Sequence, residues 1–273
     1  MKLNPILDTF PAMQNPAFPE FNMLTDSRHG RMIYNKNDVY IGKCFELYGE
    51  FSYGECQIFD AIVQPGMTIV EVGANIGSHT VSIAQKTGPQ GTVHAFEPQR
   101  IVFQTLCANL AINQLTNVIT HYAAAGDQPG TLVVPELDPK STQNFGGLGL
   151  GNHRSGQAVP VVTIDSLNLS SCDFIKADVE GMEESALRGA ENAIKQFLPM
   201  LYVENDRQEK AFELTSYISS LGYRMFLHRP HLYNPENFKG NKENVFQNIV
   251  SSNLFCIHRS KPASISGMPE VTV

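Results

Sequence analysis

Apolar and polar positions along the 273-residue chain follow two alternating rhythms. Short runs of β-branched and apolar residues predict buried strands at Thr68–Val72, Thr92–Phe96, Val118–Ala123, Phe174–Val179 and Met200–Glu204. Between them, apolar residues recur every three or four positions. That spacing predicts helices over Ser78–Lys86, Gln99–Asn113, Glu184–Phe197 and Arg207–Leu221, with Val102, Leu106 and Leu110 at i, i+4 and i+8 of the second. Ser78 is the expected N-cap of the first helix, and Gly88 lies just past its end. A short amphipathic helix over Gly54–Val63 precedes them and stops at Pro65-Gly66. Strands alternating with helices predict βαβ units, right-handed crossovers and an α/β, doubly wound, mostly parallel sheet.

The rhythm pauses after Asp127, where Thr131–Val134 and Val159–Ile164 read as antiparallel strands around a long loop. That loop, Asp138–Gln157, holds five glycines and almost no apolar anchor, so it reads as a mobile flap or substrate lid. Two final strands, Tyr223–Leu227 and Leu254–His258, flank a polar segment and close a seven-stranded sheet as an antiparallel hairpin. The expected organisation is an N-terminal extension over 1–40 with weak structure of its own, a catalytic domain over 41–260 and a flexible tail over 261–273.

Composition narrows the classes. Twenty basic and twenty-seven acidic residues give a formal charge of −7 and a pI near 5.6, which offers no basic footprint for nucleic acid. No apolar stretch approaches the roughly 20 residues of a membrane helix, and Met1–Met13 lacks the apolar core of a signal peptide. Five scattered cysteines form neither a disulfide framework nor a zinc motif. The expectation is a cytoplasmic protein with no membrane or nucleic-acid partner.

The strongest chemical signal is Glu71-Val72-Gly73-Ala74-Asn75-Ile76-Gly77, between a strand and a helix. Glycines there let the backbone approach a ligand, and the helix N-terminus offers unpaired N–H groups. The dinucleotide fingerprint needs a second glycine to admit a pyrophosphate, and that position is Asn75. A nucleoside without a pyrophosphate suits the turn better; a tight turn needing glycine for geometry alone is the other reading. Glu97 ends the second strand twenty-four residues after Gly73, where a carboxylate accepts hydrogen bonds from ribose hydroxyls.

With these residues in place the chain resembles the FkbM-type methyltransferases. The resemblance is carried by EVGANIG (Glu71–Gly77), HAFEPQ (His94–Gln99), FIKADVEGMEESALRGA (Phe174–Ala190) and PMLYVEND (Pro199–Asp206), with YGE (Tyr48–Glu50) as the lead-in. It implies a class I Rossmann-like fold, S-adenosylmethionine as cofactor, and O-methylation of a hydroxyl on a sugar or related metabolite. It further implies that Gly73, Ala74, Asn75 and Gly77 line the methionine end, that Glu97 holds the ribose and that Glu71 lies beneath the turn. Ala125 and Asp127, after the third strand, fall where such enzymes contact adenine; Asp127 also reads as a turn residue before Pro129-Gly130.

Lys176, Asp178 and Glu180 share one face of a strand by period two, at the carboxyl end where open α/β sheets bind ligands, and Glu204 ends the neighbouring strand. Asp178, Glu204 and Glu180 are therefore the candidate catalytic residues. A general base that takes the acceptor's proton is one role, and a divalent metal such as Mg²⁺ held by Asp178 and Glu204 is another. A salt-bridged cluster around Lys176 is the third. His79 reads as facing substrate or, more simply, as capping and packing; His228 and His231 read as solvated loop histidines or as an alternative base. A nicotinamide-dependent oxidoreductase and a non-catalytic nucleoside-binding scaffold are the rival readings.

Overall fold

A computed structural model describes residues 21–149, 151 and 153–272. The described residues open with a hairpin of β1 (Asn22–Ser27) and β2 (Gly30–Asn35), followed by α1 (Ile41–Tyr48) and α2 (Tyr53–Ile62). The βα units are β3 (Thr68–Val72), α3 (Thr80–Thr87), β4 (Thr92–Phe96), α4 (Arg100–Ile112) and β5 (Val118–His121). Three strands form a small side sheet: β6 (Ala124–Ala125), β7 (Gly130–Val134) and β8 (Gln157–Val162). The alternation resumes with β9 (Phe174–Ala177), α5 (Glu183–Arg188), α6 (Glu191–Phe197), β10 (Met200–Glu204), α7 (Ala211–Ser220), β11 (Tyr223–His228), β12 (Asn253–His258) and β13 (Glu270–Val271).

The central sheet runs β13-β11-β12-β10-β9-β3-β4-β5. Pairings from β10 through β5 are parallel, whereas β12 runs antiparallel between β10 and β11, and β13 adds an eighth, antiparallel edge strand. The chain winds from β3 outward to β4 and β5, then returns to β9 on the other side of β3. The β3/β9 boundary is thus the topological switch point, the crevice where such sheets bind ligands. Alternation assigns the faces: Val70 and Val72 pack against α5, α6 and α7, while Ile69 and Phe174 pack toward α2 and α3. On that second face the apolar ladder ends in Glu71 and Lys176, which are register partners across β3 and β9.

Several expectations change. The sheet has eight strands rather than seven, because Glu270–Val271, within the expected flexible tail, pairs with Met225 and Phe226. Residues 22–35 of the N-terminal extension form a hairpin whose Met32 and Tyr34 are buried against α1 and α4; residues 1–20 of that extension lie outside the described residues. Ser78 is not the N-cap of α3: His79 occupies that position, with no side-chain cap. The helix predicted over Glu184–Phe197 breaks into α5 and α6 at Gly189, where a Cβ would lie 1.9 Å from the Gly126 carbonyl oxygen. The Asp138–Gln157 loop does have an anchor, since Phe145 is buried and its carbonyl accepts a 2.8 Å bond from Gln99 Nε2.

Candidate active site

A cavity of about 420 Å³ opens at the switch point. Its floor is the β3–α3 turn and the ends of β4, β9 and β10; its roof comes from the α1–α2 region, the Asn144–Leu148 loop and the Ile249–Asn253 approach to β12. Glu50, of the YGE segment, braces this roof: it accepts bonds from Arg28 Nε (2.7 Å), Asn234 Nδ2 (2.8 Å) and the Phe238 backbone N–H (2.9 Å).

The turn is bolted between strands. The Gly73 and Ala74 N–H groups donate to the Phe96 carbonyl at 3.1 and 2.9 Å. Gly73 sits at φ +83°, and a Cβ there would lie 1.8 Å from the Asp178 carbonyl oxygen, so only glycine fits. Asn75 takes the left-handed conformation (φ 51°), and its Oδ1 accepts from the Ile76 N–H. Its side chain stands at the position where the dinucleotide fingerprint has a glycine. Gly77 is not on the cavity wall; it lets the turn close onto Leu106 of α4.

Glu97 is 3% exposed and lines the cavity, its two oxygens accepting from the Asn75 and Gln99 N–H groups at 3.0 and 2.8 Å. Burial raises its pKa to about 7 despite those bonds. Glu71, wholly buried beneath the turn, is likewise raised to about 7, chiefly by burial. For both carboxyls the folded pKa exceeds the unfolded one. The associated stability is therefore full below about 4.5 and lost as pH rises through about 7.

Lys176 is the buried cation of the site, with Nζ 3.2 Å from Asp178 and 3.9 Å from Glu71. Burial opposes its charge, but Asp178, Glu71 and Glu55 together outweigh it and hold the ammonium above its ordinary range. The expected single face is only partly realised. Lys176 and Asp178 do point together, but β9 ends at Ala177 and Glu180 turns away at φ 54° to pair with Arg207. Glu204 faces the same cavity with Oε2 unpartnered. Burial, reinforced by Asp178, Glu180 and Asp206, pushes its pKa far up, so Glu204 is a neutral acid near pH 7.

The structure gathers Gly73, Ala74, Asn75, Glu97, Asp178, Glu180 and Glu204 around one cavity, with Glu71 beneath it. Ala125 lies in an adjoining apolar recess with Phe96, Pro98, Val179 and Met182. Asp127 does not join them: its Oδ1 accepts from Ser185 Oγ (2.9 Å) on a separate cavity beside α5 and α7. Carboxylate oxygens within 4.8 Å of one another come from Glu180, Glu204 and Asp206, a set that omits Asp178. His228 Nδ1 is 2.8 Å from the Tyr202 hydroxyl, outside the cavity lining.

Several lining residues escaped the sequence reading, Glu55 and Asn253 among them. Glu55, on α2, is 4% exposed and accepts from Ser52 Oγ, and Asn253, opposite Glu204 on β12, has a buried, unpartnered Nδ2. Glu55 is an ordinary acidic position in a short helix until the fold turns it inward. Asn253 lay just outside the predicted final strand, Leu254–His258, and carried no signal of its own.

A glycine turn, a buried strand-end carboxylate and a further carboxylate cluster thus surround one cavity at the switch point of an α/β sheet, where such sheets bind ligands. Residues 71–225 match the family described as Methyltransferase FkbM domain, and the chain belongs to that family of methyltransferases. It is 26% identical over 219 residues to Methyltransferase 1 of Beauveria bassiana (strain ARSEF 2860), a match covering 70% of this chain and 88% of that protein. It is 30% identical over 156 residues to Methyltransferase sdnD of Sordaria araneosa, covering 45% of this chain but 60% of that one. Among solved structures it is similar to methyltransferase FkbM from Methylobacillus flagellatus KT, at 23% identity and TM-score 0.47 over 73% of this chain and 50% of that chain. The chain thus spans most of the first relative, about three fifths of the second and half of the crystallised protein. No helix among the described residues is long and apolar enough to cross a membrane.

Proposed function

We propose that the chain transfers a methyl group from S-adenosylmethionine to a hydroxyl oxygen of a small acceptor, a sugar or related hydroxylated metabolite. The observation that carries the cofactor is Glu97, a buried carboxylate fixed by two backbone N–H groups on the cavity wall beside the glycine turn. Each oxygen has lone pairs left for ribose hydroxyls. Gly73, Ala74 and Asn75 admit the methionine end.

When bound, the cofactor supplies an electrophilic methyl on a sulfonium. The chain's own work is positioning and proton handling. Asp178, oriented by Lys176 at 3.2 Å, is the base that takes the acceptor's hydroxyl proton. Glu204, held as the neutral acid, donates a hydrogen bond that orients the acceptor, with Glu180 and Arg207 closing that side.

The expected result is that Glu97→Ala folds normally but binds S-adenosylhomocysteine about ten- to a hundredfold more weakly by calorimetry, since bonds to a charged acceptor contribute about 1.5–3 kcal/mol. Because ionised Glu97 is the better acceptor, wild-type affinity rises with pH through about 7, and Glu97→Gln flattens that profile. Unchanged affinity in folded Glu97→Ala removes the assignment.

A metal-assisted variant is favoured by one observation, the proximity of Glu180, Glu204 and Asp206. These are hard oxygen donors that fit Mg²⁺, and cation binding would draw the proton from Glu204. EDTA then abolishes activity and Mg²⁺ restores it. Activity indifferent to chelator leaves Arg207 as the counter-charge to Glu180 among the described residues.

A further inference from the structure

We propose that Asn253 and Glu204 form an acceptor subsite that reads a second hydroxyl beside the one to be methylated, so that this chain selects neutral polyhydroxylated rings over single alcohols and acidic sugars. The inference rests on the methyl-transfer reading above and names the acceptor class for it. The two residues are register partners on β10 and β12, so their side chains leave the same face of the sheet. Tyr202, two residues before Glu204, shares that face and pairs with Lys176, which pairs in turn with Glu71. A polar row thus crosses the sheet from β3 to β12. Asn253 stands three strands from the glycine turn, roughly 14 Å at the usual strand spacing, and Glu97 is one strand farther still. The groups assigned to the cofactor occupy one end of the cavity, and Asn253 the other.

Asn253 is 3% exposed, lines the cavity, and leaves Nδ2 buried without a hydrogen-bond partner. The Tyr202 hydroxyl on the same face is bonded to His228 Nδ1 at 2.8 Å. Glu204 Oε2, across the register from Asn253, is likewise buried and unpartnered. A buried polar atom left unpaired is costly, and a ligand group that satisfies it recovers that cost. Two such atoms on paired residues facing one cavity call for a single ligand group that serves both.

The chemistry of the pair and the charges around it select that group. A hydroxyl accepts from the amide and pairs with the carboxyl whether the carboxyl donates or accepts. A methylene in its place leaves both atoms unsatisfied. An anion is repelled by Glu55, Asp178 and Glu180 on the same lining, because Lys176 is already engaged by Asp178 and Arg207 by Glu180. Asp178 follows β9, one strand from Glu204 and two from Asn253, roughly 5–10 Å along the sheet. Side chains reaching inward over that span meet two hydroxyls of one ring. Asn253 is accordingly an acceptor-binding residue, and the base remains Asp178.

The test measures turnover of S-adenosylmethionine with methyl α-D-glucopyranoside, its galacto and manno epimers, the corresponding methyl glucuronide, and cyclohexanol. Monodeoxy derivatives of the accepted glycoside are then compared on the wild type, Asn253→Leu and Asn253→Asp, with melting temperature and S-adenosylhomocysteine affinity measured beside them. The expected result is that at least one neutral glycoside is methylated, with kcat/KM roughly tenfold or more above the glucuronide and cyclohexanol. Asn253→Leu raises KM for that glycoside roughly three- to tenfold, with kcat and S-adenosylhomocysteine affinity nearly unchanged. One monodeoxy derivative shows the same rise on the wild type and no further rise on the variant, whereas the others add to it. Asn253→Asp keeps the shape without the N–H donors and serves if Asn253→Leu fails to fold. Equal KM across the deoxy series on the wild type overturns the proposal, as does unchanged KM in a folded variant. Preference for the glucuronide or cyclohexanol, or no turnover of any neutral glycoside by a chain that binds S-adenosylhomocysteine, also overturns it. A chain that does not bind S-adenosylhomocysteine overturns the cofactor reading instead.

Discussion

Asp178→Asn is expected to lower turnover by about a hundred- to ten-thousandfold while leaving S-adenosylhomocysteine affinity nearly unchanged. The carboxylate lines the acceptor side of the cavity and is oriented by a buried lysine, so the isostere keeps the shape and removes the base. Glu204→Gln should behave differently. Glu204 is already a neutral acid, and the amide still donates a hydrogen bond, so the loss is expected to stay under about tenfold. Steady-state rates for the two variants, with affinity and melting temperature measured beside them, separate the roles. A larger loss in Glu204→Gln than in Asp178→Asn would move the base to Glu204.

The second large effect is structural. Gly73→Ala is expected to destabilise the chain by about 2–6 kcal/mol, combining left-handed backbone strain with overpacking against β9. The added Cβ meets the Asp178 carbonyl oxygen at 1.8 Å, and Asp178 cannot yield easily because its N–H is bonded to Val72 at 3.0 Å. Gly66→Ala is the control: its φ is +87°, but nothing lies within 4 Å of the added methyl. It should cost only the strain of the left-handed conformation, about 1–2 kcal/mol. Denaturant unfolding of both variants decides the point, and equal losses would show that Gly73 is required for conformation alone.

What could be read in advance follows from where the determining forces lie. β3, β4, β9 and β10 were legible because each is a short apolar run between turn residues, and Glu97 because its place is fixed by one βαβ unit. The β1–β2 hairpin was not. Its turn, Arg28-His29, lacks the usual Asn-Gly signal, and its strand β2 is held from afar, with the Ile33 and Arg31 N–H groups donating to Asn109 of α4 and to Asn113 at its C-cap. At the α5–α6 break Gly189 lies against the backbone of Gly126, more than sixty residues away, a contact no local pattern announces. Asp127 sat at the expected strand end, yet β6 pairs with β8 and the chain leaves the cavity there. Period two grouped Glu180 with Lys176, but the strand stops first and a left-handed backbone sends Glu180 to Arg207. Glu55 became a site residue only when α2 folded over the switch point.

The most direct test of the cofactor claim is the melting temperature of the wild-type chain with S-adenosylhomocysteine and, separately, with NAD. A ligand held only by the folded state at a hundred times its Kd stabilises by about 2.7 kcal/mol, which for a chain of this size is a rise of roughly 5–10 °C. The expected result is a rise of that order with S-adenosylhomocysteine and none with NAD, because the turn carries Asn75 where the dinucleotide fingerprint has a glycine. A rise with NAD alone, or with neither ligand, would contradict the account.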